Sequence, residues 1–133
     1  EANCLVKLAG PLVTTAANAA MEFDLSQVDM TKVAALFVVF SVGASSGTAS
    51  VSANDSVVST ICSNNNSTSA GIVWLMPLND TIGAFSTYAT TRSNASTMSN
   101  GANTSVAWTA LTKVTISGTS YSGATATLFA VKK

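Results

Sequence analysis

The sequence predicts an all-β fold, an antiparallel β-sandwich or jelly roll of about eight to ten short strands with almost no helix. Three observations carry that expectation. Nearly every periodic segment alternates with period two, the signature of a half-buried strand. Turn residues recur at short intervals between these segments. Helical patterning is missing, and the Thr-rich, β-branched content opposes it. A length of 133 residues suits one domain over 1–133, with residues 1–18 either its first strand or an N-terminal arm.

Residues 1–18 carry Leu5, Val6, Leu8, Leu12 and Val13, and Gly10-Pro11 is expected to break any long strand there. In Met21-Glu22-Phe23-Asp24-Leu25 apolar and acidic residues alternate, which places Met21, Phe23 and Leu25 inward. A single helical turn is expected over 26–32, with Ser26 as cap and Asp29 three residues on. Residues 33–42 are rich in Val, Phe and Leu on both faces. A strand apolar on both faces is normally covered on both. Its second face must therefore meet another segment of the chain or a neighbouring subunit.

Glycines at 43 and 47 predict a hairpin into 48–53, where Ala49, Val51 and Ala53 alternate with polar residues. Asn54-Asp55 predicts a turn into a strand over 57–61, followed by a polar loop over 63–69. A strand over 71–76 puts Ile72, Trp74 and Met76 on one face and stops at Pro77. The remainder predicts a weak strand over 85–89 and a long polar loop over 92–103. Three last strands follow over 106–111, 113–117 and 124–131, with 118–123 as the final hairpin loop.

Charged residues make up 9% of the chain, far below the roughly 25% of ordinary soluble domains. Six acids (Glu1, Glu22, Asp24, Asp29, Asp55, Asp80) balance six bases (Lys7, Lys32, Arg92, Lys113, Lys132, Lys133). Without net charge or a basic patch, no nucleic-acid partner is expected. A hydrophobic content of 47% excludes a disordered chain. A protein near zero net charge tends to associate, so the expected working state is an assembly, with a homo-oligomer foremost. No stretch reaches the roughly 18 apolar residues of a membrane span. Glu1 in place of a methionine is expected of a cleaved precursor, in keeping with export.

The chain has no histidine, which removes the Ser-His-Asp triad, the usual general base near neutral pH and the commonest metal ligand. No Gly-rich phosphate loop precedes a helix. The expectation is no catalytic residue, no cofactor, no metal and no enzymatic activity. Glu22 and Asp24, the nearest approach to a catalytic pair, read as the solvent face of an amphipathic strand. Asn54-Asp55 and Asn79-Asp80 read as turns rather than calcium ligands. Cys4 and Cys62 lie far apart in no metal-binding pattern, and a disulfide between them or two buried thiols are equally open. Trp74 and Trp108 sit in apolar alternation and are expected in the core. Exposed on one sheet with Tyr88 and Tyr121, they would instead form a sugar-stacking platform. Tyr121, in a loop, is the candidate for an exposed contact. Sequons at Asn54, Asn65, Asn66, Asn79, Asn94 and Asn103 would mark outward-facing loops in a host that N-glycosylates exported proteins.

A longer pattern runs through the first half of the chain. Leu12-Val13-Thr14-Thr15 ends an apolar lead-in, Asp24-Leu25 closes an amphipathic strand, Lys32 precedes a long apolar strand, and Val42-Gly43-Ala44 with Gly47-Thr48 frames a turn. In this pattern residues 12–57 resemble small head decoration (cement) and related virion proteins of tailed bacteriophages; beyond about Ser63 the likeness ends. The resemblance implies a β-sandwich subunit on the outer capsid surface of a virion, binding the major capsid protein or lying between its copies and reinforcing the shell. It carries over no catalytic residue. Leu5, Val6, Leu8, Leu12, Val13 and Tyr121 are the assembly contacts expected. Two other classes stay open. One is an extracellular or cell-surface filament or pilus subunit whose N-terminal arm completes a neighbour's sheet. The other is a carbohydrate-binding module with aromatics exposed on one sheet.

Overall fold

Period-two alternation gives most strands one apolar face, and two sheets bring those faces together. The computed structural model describes residues 4–44, 48–63, 67–90, 96–103, 105–119 and 122–133. Among them ten strands form: β1 (Leu5–Val13), β2 (Met21–Asp24), β3 (Val33–Ala44), β4 (Thr48–Ala53), β5 (Ser56–Ser63), β6 (Ser67–Leu78), β7 (Thr81–Thr90), β8 (Ser96–Asn103), β9 (Lys113–Ser117) and β10 (Thr125–Lys132). They build a six-stranded sheet, β1-β10-β3-β6-β7-β8, and a four-stranded sheet, β2-β9-β4-β5, antiparallel throughout.

The pairs β1–β10, β2–β9, β3–β6 and β4–β5 are the rungs of one long antiparallel ribbon. Alternate rungs fall in opposite sheets, which is the wrapping of a jelly roll. The β7–β8 hairpin is an addition that widens the larger sheet. Met21, Phe23 and Leu25 point inward as expected, opposite Leu36, Val38, Phe40, Val73, Leu75 and Leu128, all buried. A buried polar bridge joins the sheets, where the Ser59 hydroxyl donates to Ser86 Oγ at 3.0 Å.

Several local expectations are corrected by this wrapping. β3 and β4 are not a hairpin, because β3, apolar on both faces, takes a central place between β10 and β6, and the chain then crosses to the other sheet. The 118–123 connection likewise crosses between sheets, from β9 to β10. β6 runs through Pro77 to Leu78. Its pairing with β3 ends at Leu75, so Pro77 sits where β6 has a strand on one side only and its missing N–H costs no ladder bond on the other. Gly10-Pro11 does not break β1, an edge strand that absorbs it with shifts of register. Part of the expected polar loop, residues 96–103, is strand β8, paired through its backbone with β7 from Ile82 to Ala89. The expected strand over 106–111 is instead a 3-10 turn, Trp108–Ala110. The other helical turn is Met30–Lys32, capped by Asp29, whose carboxylate accepts from the Thr31 N–H at 3.1 Å. Ser26 is not the cap; its N–H donates to Asp24 at 2.8 Å.

Cys4 and Cys62 do not form a disulfide. Cys4 is exposed beside β1, at one lateral edge of the larger sheet. Cys62 is buried on β5, which packs beneath the opposite side of that sheet, against β7 and β8. The width of the sandwich separates them.

Candidate functional site: an open aromatic face

The inward face of the six-stranded sheet is covered by the smaller sheet. Its outward face is not covered by any described part of the chain. Cross-strand register places Phe129, Phe37, Trp74 and Phe85 directly opposite one another on β10, β3, β6 and β7. They form one straight row, and the backbone register continues it to Lys7 on β1 at one end and to Asn100 on β8 at the other. All four aromatic side chains are only partly buried. Val39 and Met76 flank the row at 41% and 40% exposure, with Ile72 between strands β3 and β7 on the same face. The outward positions of β10, β3, β6 and β7 carry no charge beside this row.

Ring geometry limits what such a face can bind. Phe37 stacks on Phe129, with centroids 4.9 Å apart and planes 10° from parallel. On its other side it meets Trp74 at 4.7 Å with a 38° tilt. The rings therefore stand against one another, so both faces of Phe37 are taken. A sugar stacks on an open ring face, whereas an apolar protein surface packs against ring edges and methyl groups.

Trp74 is thus a correction: it lies on the outer face and not in the core, because its parity on β6 is opposite to that of buried Val73 and Leu75. Trp108 is core, 4% exposed, with its indole N–H shared between the Met30 and Val33 carbonyls at 3.2 Å each. Phe85 and Phe129 were not singled out by the sequence. The run Leu128-Phe129-Ala130-Val131, apolar at both parities, was the available signal, but nothing in sequence places it beside 33–42.

The contacts expected in the N-terminal segment divide. Leu8 and Leu12 pack against the core, Val6 is half-buried, and Leu5 and Val13 are exposed at 53% and 55%. β1 itself is hydrogen-bonded to β10 of its own chain. Tyr121 lies outside the described residues, as do Asn65, Asn66 and Asn94.

Away from the aromatic face, charges gather at one end of the sandwich. Lys113 Nζ lies 2.8 Å from Asp55 Oδ1 and 3.7 Å from Glu22 Oε2. The Asp55 hydrogen bond is the main cause holding the Lys113 ammonium above its ordinary pKa, against a smaller opposing effect of desolvation. The Ser26 N–H holds Asp24 below the usual carboxylate range, and the Thr31 hydroxyl and N–H do the same for Asp29. An acid catalyst needs a raised pKa, and Asp24 is shifted the other way. Among the described residues no group of three potential ligands is arranged to hold a metal. No helix of the described residues is long and apolar enough to cross a membrane.

Asn54 locks the same end. Its residue and Asp55 both adopt positive φ, 44° and 70°, making the two-residue β4–β5 turn. Its carboxamide nitrogen donates to the Ala110 carbonyl at 2.9 Å, while its oxygen accepts the N–H groups of Thr112 and Lys113 at 3.0 Å each. Asn54→Ala is expected to cost about 1–3 kcal/mol, as several backbone groups lose partners, read as a lower urea midpoint. Asn54→Gly keeps the turn conformation and isolates the carboxamide bonds.

The strand order defines the class: an all-β sandwich with jelly-roll wrapping, one sheet widened by a hairpin. No protein-family model, curated protein or solved structure matches this chain.

Proposed function

We propose that this chain is a structural subunit of a protein assembly, and in particular a virion protein that decorates a capsid and reinforces it by binding the major capsid protein. The observation that carries the reading is the uncharged aromatic row, Phe129-Phe37-Trp74-Phe85, standing open on the outer face of the larger sheet. An apolar face of this kind in a nearly uncharged chain is a protein-docking surface. Jelly rolls recur in viral capsid subunits as well as lectins, and fold alone does not choose between them. The ring packing supports the capsid reading: with both faces of Phe37 occupied, the row offers a poor platform for sugar. The outer surface of a virion is the corresponding location.

Co-sedimentation of the purified protein with intact particles from its source tests this. Wild-type protein is expected to pellet with the shell, and docking is expected to shield Trp74 from acrylamide quenching. Phe37→Ser, at the centre of the row, is expected to weaken binding by about thirtyfold or more, while the folded β-sheet signal persists. Binding to immobilised polysaccharide without binding to particles would overturn the reading, as would a Phe37→Ser protein that still pellets normally.

A further inference from the structure

Among the described residues the two sheets present four edge strands, β1, β8, β2 and β5, each with a neighbouring strand on one side only. Natural edges are guarded against further pairing by charge, proline, bulges or shortness. β1 carries Lys7 and Pro11, and its register against β10 slips twice. β2 has four residues, of which Glu22 and Asp24 are exposed acids. β5 slips twice against β4, with Ile61 and Val58 as the extra residues. β8 has none of these devices. Its eight residues, Ser96–Asn103, include no charge and no proline, and they pair with β7 in unbroken register from Ala89 to Ile82. Among the described residues no strand lies on its outer side.

We propose that β8 is a self-pairing edge: two copies of this chain join their six-stranded sheets through antiparallel β8–β8 contact about a two-fold axis. A head-to-tail pairing onto β1 of another copy is blocked by Pro11, Lys7 and the two slips of register. Self-pairing of β8 carries no like-charge penalty, because the strand has no charged residue. An isologous contact also closes on itself and so gives a dimer rather than an open fibre. The joined sheets would carry two aromatic rows on one continuous surface, doubling the docking face proposed above. The β8 contact stands on a different surface from that face and can fail independently of it.

The test is sedimentation analysis of the full chain, with a proline scan along β8. In an edge strand alternate N–H groups point outward. Thr97→Pro with Ser99→Pro forms one phase of the scan, and Met98→Pro with Asn100→Pro the other. One phase is expected to raise the dimer dissociation constant at least tenfold, roughly, with an unchanged melting temperature. The other removes bonds to β7 and lowers the melting temperature. Hydrogen exchange of the unmodified protein supplies a second reading: alternate β8 amides are expected to exchange fast on dilution and slowly when concentrated. A wild-type chain that stays monomeric at high concentration overturns the proposal. So does a dimer that survives both proline phases, or β8 amide exchange independent of concentration. Phe37→Ser is expected to leave the dimer intact, which separates this contact from shell docking.

Discussion

Trp108→Ala is expected to lower stability by about 3–5 kcal/mol, a large part of the 5–15 kcal/mol typical of a single domain. The indole is 4% exposed and joins the two 3-10 turns at one end of the sandwich. Its ring fills that end of the core, and its N–H holds the carbonyls of Met30 and Val33, where the Met30–Lys32 turn passes into β3. Truncation removes both at once. Trp108→Phe retains most of the ring and deletes the N–H, with an expected cost of about 1–2 kcal/mol. Urea denaturation followed by far-ultraviolet circular dichroism separates the contributions. A Trp108→Ala midpoint within error of wild type would mean that this end of the core is not packed as described.

Gly71→Ala is the second large effect, and it arises from crowding. Gly71 lies between Phe40 on β3 and Tyr88 on β7, in register with both. The two rings close over it from either side, with centroids 6.3 Å apart. A Cβ at Gly71 would meet the Thr87 carbonyl oxygen and stand 2.7 Å from Tyr88 Cα. Those atoms belong to the backbone of a central strand pair and cannot move aside without opening the sheet. The expected cost is about 1–3 kcal/mol, and Gly71→Val is expected to cost more. Gly83→Ala is the control. Its new methyl would make ordinary contacts on the outward face, with Leu78 Cβ at 3.4 Å and with Leu78 Cδ2 and the Met76 carbonyl oxygen at 3.8 Å, and its effect is expected within about 0.5 kcal/mol. Equal midpoints for the two alanine variants would contradict the close approach at Gly71.

These residues also show where local reading of the sequence succeeds. Alternation in 21–25 and 48–53 gave the buried faces correctly, because a single strand's parity is a local property. Asn54-Asp55 gave its turn because two successive positive φ angles suit few other residue types. Pro77 and Gly10-Pro11 misled, since the cost of a proline depends on whether a partner strand faces its missing N–H. The residues of β8 read as loop in the sequence for a related cause: the strand pairs through its main chain, and its residue types announce nothing.

By itself, then, the sequence determined an all-β sandwich, nearly free of helix, with an uncharged strand at 33–42 that had to be covered twice. It also determined that histidine chemistry was absent. Which strand neighbours which was decided only by the tertiary structure, because hydrogen-bonded pairing between distant segments has no local signature. That pairing puts Phe129, Phe37, Trp74 and Phe85 into one row from four separated stretches of chain. It places the N-terminal strand at an edge, where it cannot cover β3. The sequence allowed another segment of the chain or a neighbouring subunit as cover for the second face of 33–42; among the described residues no segment of the chain lies over it, and the aromatic face is left open.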